Sequence, residues 1–294
     1  MKEYGCQSMV GKLERVLVKH PGRAFKDEQK IALEWEALGF EAPPDLDKAE
    51  KEFEVLTDTI CRNGAEILFL PEDDRTTLDS IYTHDPVIVT EAGAVILRMG
   101  KEKRRGEEAA IADFFTTHGV PILGRLSGDE TAEGGDLLWL DRRTLVAGRS
   151  FRTNAAGIQA LRRLLEPLGV KVVDFDLPCW RGSDDVLHLM SLLSLVDRDL
   201  AVCFSKLLPV SLFELLEDRG VGMIDVPEGE FLSQGSNVLA LEPRRVIILE
   251  GNPRTRAKLE AAGCEVYEIK GDEIAFKGKG GPTCLTRPLL RASD

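Results

Sequence analysis

The hydrophobic positions repeat one pattern along the chain: a helix, a glycine at its end, and then a short apolar strand. In residues 47–62 the apolar side chains recur at steps of four, three and four, which predicts an amphipathic helix. Asn63 and Gly64 follow this helix, and glycine readily adopts the left-handed conformation that ends one. Residues 65–70 then predict a buried strand.

The same pattern returns four more times. The predicted helices cover residues 107–118, 154–168, 207–219 and 253–262, and the strands after them cover residues 120–123, 170–175, 221–226 and 264–269. The glycines that separate helix from strand are Gly64, Gly119, Gly169, Gly220 and Gly263, at intervals of 55, 50, 51 and 43 residues. Further strands, several of them hairpins, are predicted at residues 87–98, 137–147, 187–204 and 238–249.

Strands that alternate with helices predict an α/β fold. Five units of similar length suggest a cyclic repeat, in which no unit can bury its apolar face alone. We therefore expect five ββαβ-like blades around an axis, although an ordinary doubly wound sheet would give the same alternation. No low-complexity linker divides the sequence, and we interpret residues 1–294 as one domain.

Composition and charge narrow the range of partners. The 38 Lys and Arg residues against 50 Asp and Glu residues give a net charge of −12, which disfavours binding to nucleic acid or to an anionic membrane. No apolar run reaches the ~18 residues of a membrane span, and no signal peptide begins the chain, so we expect a cytoplasmic protein. The six cysteines show no CxxC spacing and there are four histidines, which argues against zinc and leaves a cysteine nucleophile as one alternative.

The most unusual local sequence surrounds Cys284. Residues 277–287 combine three glycines, a proline and two lysines with this cysteine. Glycines let backbone N–H groups approach a ligand, and an electropositive loop would favour the thiolate of Cys284. A glycine-rich turn with an incidental cysteine is the structural alternative.

Other segments carry side chains suited to a polar ligand. Glu133 and Asp136 flank two glycines ahead of an apolar run, and His188 stands in a run that is otherwise apolar or hydroxyl-bearing. Asp85 precedes a proline at a predicted strand start. Arg152 is either a surface charge or an anchor for a carboxylate. Each of these segments also has a purely structural interpretation, as a solvated turn or a core histidine.

Together and in this order, these segments resemble the guanidino-group-modifying enzymes of the pentein superfamily: dimethylarginine dimethylaminohydrolases, arginine deiminases and amidinotransferases. The similar motifs span residues 79–287 and are Thr-His-Asp85-Pro, Arg104-Arg-Gly-Glu, Glu133-Gly-Gly-Asp, Arg152-Thr-Asn, His188-Leu-Met-Ser and Gly-Gly-Pro-Thr-Cys284. The resemblance implies a five-bladed, pseudo-symmetric α/β propeller, the pentein fold, which agrees with the five repeated units.

The resemblance also implies the catalytic residues. Cys284 would be the nucleophile, His188 the general acid and base, and Glu133 the residue that orients His188 and contacts the guanidinium. A guanidinium carbon is a poor electrophile, so this chemistry needs a thiolate, flanking carboxylates and a proton for the leaving amine. The resemblance implies neither a metal nor an organic cofactor.

Four more residues would bind a small guanidino substrate. By resemblance, Asp85 holds the guanidinium nitrogens, Asp79 binds the α-ammonium group, and Arg104 and Arg152 bind the α-carboxylate. The resemblance is compatible with a homodimer.

Two departures from the family patterns bear on the substrate. Position 190 is Met, whereas arginine deiminases and amidinotransferases resemble one another in carrying an acid there, so the dimethylaminohydrolases are the more similar group. Those enzymes commonly place an acid where this chain has His84, and the Gly-Gly-Pro-Thr-Cys ending resembles the deiminases. We expect a cysteine hydrolase of Nω-methylated arginine or arginine that releases citrulline and an amine; a deiminase, an amidinotransferase and a non-catalytic arginine-binding propeller remain the alternatives.

Overall fold

The structure, a computed structural model, describes residues 3–183 and 185–292. Within them the strands are β1 Leu13–Val18, β2 Glu66–Phe69, β3 Val87–Thr90, β4 Gly93–Ile96, β5 Ile122–Arg125, β6 Leu137–Asp141, β7 Thr144–Arg149, β8 Lys171–Asp176, β9 Leu193–Asp197, β10 Leu200–Cys203, β11 Gly222–Asp225, β12 Leu239–Glu242, β13 Arg245–Leu249, β14 Glu265–Ile269 and β15 Arg287–Arg291. The helices are α1 Pro21–Ala24, α2 Glu28–Leu38, α3 Leu46–Arg62, α4 Glu107–Thr117, α5 Ala155–Leu165, α6 Val210–Asp218 and α7 Pro253–Ala261.

The strands form five separate three-stranded sheets that share one topology. In four sheets an antiparallel hairpin is followed by a helix and then by a strand parallel to the second hairpin strand; β6, β7, α5 and β8 are one example. The fifth sheet uses both ends of the chain, since β1 pairs antiparallel with β15 and parallel with β2. The predicted α/β class with five repeated units is confirmed, and the arrangement of the sheets around an axis stays a prediction, as does the single domain.

The helix ends agree closely with the predicted pattern. The stripe on α3 is buried, with Ala49, Phe53, Leu56 and Ile60 all at most 1% exposed. The five glycines that separate helices from strands all have positive φ, between 69° and 89°. Such values are favourable for glycine and strained for other residues, which explains the choice of residue at these helix ends.

The main difference between the predicted and the observed elements concerns residues 187–204, for which the sequence predicts a continuous strand or hairpin. The hairpin β9–β10 begins only at Leu193, and residues 189–191 form a 3₁₀ turn directly after His188. The loop and turn before β9 therefore carry the motif residues, while the apolar residues that follow enter the sheet. No helix in the described part of the chain is long and apolar enough to cross a membrane.

Candidate active site

Each of the five sheets contributes a polar residue from the loop just before the edge strand that pairs antiparallel with the central strand. These residues are Asp85 before β3, Glu133 before β6, His188 before β9, Asn237 before β12 and Cys284 before β15. Because the sheets share one topology, this loop occupies an equivalent position in every repeat. The repeat therefore gathers five chemically different side chains from distant parts of the sequence.

The structure brings the seven predicted site residues together. Six of them line one small cavity: Asp79, Asp85, Arg104, Arg152, His188 and Cys284. Glu133 lies behind His188 and is fully buried. Lys101, Lys279 and the aromatic ring of Tyr82 complete much of the wall.

The Cys284 thiol is held beside Asn237. The Asn237 side-chain amide donates to Sγ at 3.5 Å, while its carbonyl oxygen accepts bonds from the backbone N–H and the hydroxyl of Thr283. Burial, and then the nearby carboxylate of Asp85, raise the pKa of Cys284 to about 11. The expectation of a favoured thiolate is therefore wrong for the free site: desolvation and a negative neighbour outweigh the glycine-rich loop.

This raised pKa predicts slow alkylation of Cys284 in the free protein. With a pKa of about 11, only ~10⁻⁴ of the thiol is ionised at pH 7, and the thiolate is the reactive form. We expect iodoacetamide labelling of Cys284, followed by peptide mass spectrometry, to rise about tenfold per pH unit between pH 7 and 10. The exposed Cys61 and Cys179 serve as internal controls in the same digest. A labelling rate of Cys284 that levels off below pH 8 would contradict the raised pKa of its thiol.

His188 is held by carboxylates. Its Nε2–H donates to Glu133 Oε2 at 2.8 Å. Burial opposes the charged imidazole, but the carboxylates of Asp136, Glu133 and Asp85 together raise the pKa of His188 to about 9. The interaction with His188 in turn overcomes burial and lowers the pKa of Glu133 to about 2. At neutral pH the site thus contains an imidazolium, which can donate a proton, beside an ionised Glu133.

Local packing explains the Glu133-Gly-Gly-Asp136 motif. A side chain at Gly134 would collide with the His84 carbonyl, and one at Gly135 would collide with the His188 ring. Asp136 accepts bonds from the Leu189 backbone N–H at 2.9 Å and from the Ser150 hydroxyl at 2.5 Å. The glycines allow close approach of His188, and Asp136 fixes the turn that follows it.

Asp85 is fixed on both oxygens. The Gly135 backbone N–H donates to Oδ1 at 2.9 Å, and the Arg104 guanidinium donates to Oδ2 at 2.5 Å. Although burial opposes ionisation, the charges of Arg104 and His188 hold the pKa of Asp85 well below its usual range. Asp85 is therefore an ionised acceptor close to the Cys284 thiol.

The other predicted substrate-binding residues lie on the cavity wall. Arg152 Nη1 lies 3.5 Å from both carboxylate oxygens of Glu133. Asp79 forms an ion pair with Lys101 at 2.5 Å. The Arg104 guanidinium donates to Glu107 as well as to Asp85, so it contacts protein groups on several sides.

Three side chains of this site are close enough together to be considered as ligands of a metal ion. Asp85, Glu133 and His188 place ligand atoms within 4.8 Å of one another. The same groups are engaged by Arg104, by each other and by backbone N–H groups. A divalent ion would have to displace the Arg104 guanidinium and neutralise His188, so the donor set fits a metal poorly.

Neither Met190 nor His84 is on the cavity wall. Met190 is 1% exposed and buried within the turn that follows His188. His84 directs Nδ1 to the Thr286 carbonyl at 2.8 Å, and burial together with the charge of Arg287 lowers its pKa to about 3. His84 thus points away from the cavity and remains neutral.

Sequence reasoning missed Asn237 and Lys101. Asn237 stands before β12 at the position equivalent to Asp85 before β3, so alignment of the five repeats would have found it. Lys101 lies three residues before Arg104 and has no such signal, because residues 101–105, Lys-Glu-Lys-Arg-Arg, resemble a solvated basic turn.

Comparison with known proteins gives consistent matches. The family model described as N,N dimethylarginine dimethylhydrolase, eukaryotic, matches residues 39–291. The dimethylarginine dimethylaminohydrolase of Pseudomonas aeruginosa is 28% identical over 273 residues, 93% of this chain and 98% of that protein. The enzyme of the same name from Streptomyces coelicolor is 30% identical over 248 residues, covering 84% and 88% respectively. The solved structure of a mutant of the P. aeruginosa enzyme complexed with citrulline has a TM-score of 0.76 at 25% identity, covering 96% of this chain and all of the other.

Proposed function

The chain belongs to the N,N dimethylarginine dimethylhydrolase family and is a hydrolase of C–N bonds in amidines, and we propose that it converts Nω-methylated arginine to citrulline and an amine, with arginine as a second substrate. The observation that carries this proposal is the shared cavity of Cys284, His188 and Asp85, with Glu133 paired to His188. A site that only binds arginine would need the acids but neither a nucleophile nor a paired histidine.

In the first half of the proposed reaction, Cys284 attacks the guanidinium carbon. A bound guanidinium brings positive charge next to the thiol and to Asp85, and this charge favours loss of the thiol proton to solvent. The S–C bond forms as the thiolate attacks, His188 donates a proton to the departing nitrogen, and the C–N bond breaks. The products are a free amine and a covalent S-alkylthiouronium on Cys284.

The second half uses the same groups in reverse. His188, now neutral, takes a proton from water, and the oxygen attacks the thiouronium carbon. The C–S bond breaks, the electron pair returns to the Cys284 sulfur, which takes up the remaining proton of the attacking water, and the neutral ureido product leaves with the thiol restored. Glu133 keeps the imidazole ring in place and stabilises its charged form in both halves.

The preference for a methylated guanidinium rests on the acids available in the cavity. Asp85 is the carboxylate on the wall next to Cys284, position 190 carries Met, and His84 is turned towards Thr286. An N–H buried without an acceptor costs roughly 1–3 kcal/mol, whereas a buried methyl gains a little under ~1 kcal/mol. Both effects favour the substituted nitrogen.

Competition of Nω-methylarginine with arginine in one reaction tests this proposal. We expect the methylated substrate to win in kcat/KM by about tenfold or more, the factor that ~1.4 kcal/mol gives. Released methylamine and ammonia, quantified by mass spectrometry, measure the two rates. Preference for arginine would replace the proposal with a deiminase. A burst of amine equal to the enzyme, with further turnover only when an acceptor amine is added, would replace it with an amidinotransferase.

A further inference from the structure

A second depression, termed the side groove, adjoins the active-site cavity. Its wall includes Trp180, Val186, Phe231, Phe276 and Lys279, and its volume is about 390 Å³, a size typical of small-molecule sites. Val186 and Lys279 also line the active-site cavity. The cavity and the side groove therefore share a wall, and a group that extends from the cavity past these two residues enters the side groove.

The side groove lies next to the nucleophile and the general acid. Val186 is two residues before His188 in the same loop. Gln234, which also lines the side groove, is three residues before Asn237, and the Asn237 amide donates to the Cys284 sulfur. The described residues that are proposed to bind the α-ammonium and α-carboxylate groups line the cavity but not the side groove. The reacting end of a bound guanidinium is therefore the end of the substrate nearest to the side groove.

The apolar wall of the side groove rests on stacked aromatic rings. Trp180 is 41% exposed, and its ring meets that of Phe231 edge to face at a centroid distance of 5.8 Å. Phe231 is buried and stacks on Phe204 at 4.1 Å, so the core supports the exposed indole from below. An aromatic surface that is held in place before a ligand arrives binds it with a smaller loss of entropy.

Two residues of the side groove have an unfavourable backbone conformation. Gln234 has a φ of 63° and Lys279 a φ of 62°, in the left-handed region that favours glycine. Among the described residues, four other than glycine have a positive φ, and these two are half of them. Strained residues of this kind concentrate at ligand sites, where the surrounding structure holds them.

The charges around the side groove balance. Lys279 Nζ lies 3.0 Å from Asp185 Oδ1, and this ion pair joins the two loops that border the groove. Among the described residues, the other charged side chains on its wall are Glu41 and Arg181, one of each sign. A neutral apolar group therefore suits the side groove better than a charged group.

We propose that the side groove receives the Nω substituent of the substrate, and that the enzyme hydrolyses arginines whose substituent is a neutral alkyl or aralkyl group larger than methyl. This inference rests on the proposed function and extends its substrate class. The substituent passes Val186 and the stem of Lys279, and its end lies against Trp180. The C–N bond to the substituted nitrogen breaks, His188 gives that nitrogen a proton, and water supplies the oxygen of citrulline. The substituted amine is the other product.

The test compares Nω-benzylarginine with Nω-methylarginine in the parent enzyme and in Trp180→Ala. We expect the kcat/KM of the parent for the benzyl substrate to lie within about tenfold of that for the methyl substrate. Trp180→Ala should lower kcat/KM for the benzyl substrate by about tenfold or more, chiefly through a raised KM, because an aromatic contact is lost. The methyl substrate should be unaffected, since Trp180 lines the side groove and not the cavity. Released benzylamine and methylamine, quantified by mass spectrometry, give the two rates.

Two further variants separate a contact with the substituent from a general effect. Phe69→Ala is the matched control, because Phe69 is 43% exposed, close to the value for Trp180, but lies on β2 and lines neither the cavity nor the side groove. Both substrates should keep the parent rates in this variant. Trp180→Phe retains an aromatic ring at the side groove and should restore most of the activity on the benzyl substrate.

The other outcomes overturn the inference. These are a parent kcat/KM for the benzyl substrate more than about tenfold below that for the methyl substrate, and an equal loss or no loss for both substrates in Trp180→Ala. Calorimetric binding of Nω-benzylarginine to the Cys284→Ser protein, with and without Trp180→Ala, separates this inference from the proposed function. Binding that depends on Trp180, without hydrolysis of either substrate by the parent, would reject the proposed function but not the side groove. Hydrolysis of Nω-methylarginine, with benzyl binding that is independent of Trp180, would reject the side groove alone.

Discussion

Replacement of Cys284 by serine is expected to lower turnover by at least about 10³-fold while the fold stays intact. A serine hydroxyl ionises far less readily than a thiol, and the site offers no base that could activate it. His188, a candidate base on the cavity wall, has its pKa raised to about 9 by the surrounding carboxylates, so it is protonated at neutral pH, and Asp85, whose pKa is held well below its usual range, is too weak a base. Citrulline formation under saturating substrate measures the loss, and circular dichroism and the melting temperature report on the fold.

The exposed Cys61 on α3 provides the matched control. Cys61→Ser makes the same chemical change far from the cavity, and it should retain the parent activity. The Cys284→Ser protein should still bind arginine, because Asp85, Asp79 and Arg152 are unchanged. Activity above about a tenth of the parent value would remove Cys284 from the mechanism, since a serine with no base cannot sustain it.

The sequence was sufficient for the local parts of the fold. The helix stripes and the glycines that end them depend on residues within a few positions, and all five helix–glycine–strand units lie where predicted, to within a few residues. Strands β1 and β15 were not predicted. They pair with each other from opposite ends of the chain, and no local pattern in either segment specifies such a partner. Helices α1 and α2, which pack against the turn at residues 78–81 that carries Asp79, were also missed.

For the site, too, short motifs were enough to identify residues, but they could not predict properties that depend on residues distant in the sequence. The seven residues carried over by resemblance lie together, because each belongs to a short motif with a fixed place in one of the repeats. The protonation states could not be predicted in this way. The raised pKa of Cys284 depends on burial and on Asp85, which is distant in sequence. The pairing of Lys101 with Asp79 likewise depends on how a loop folds against the end of α2.

His188→Ala is expected to lower kcat by roughly 10²–10⁴-fold, the contribution of general acid–base catalysis. The leaving amine would depart without a proton, and water would have no base in the second half of the reaction. His118→Ala is the control, since His118 is exposed at the end of α4 and does not line the cavity. A normal kcat with a raised KM would instead make His188 a substrate-binding residue.

The pH profile distinguishes an acid–base role from a structural one. The carboxylates raise the pKa of His188 to about 9, above its ordinary value, so its acid form is present below that pH and is lost as the pH rises through it. The kcat of the parent reports the substrate complex, in which the thiol has already lost its proton, so it should fall as the pH rises and the His188 proton is lost. Glu133→Gln keeps a group of the same shape next to His188 but removes one of the charges that raise its pKa. The descending limb should consequently move to lower pH in this variant, whereas a purely structural Glu133 would lower activity equally at every pH.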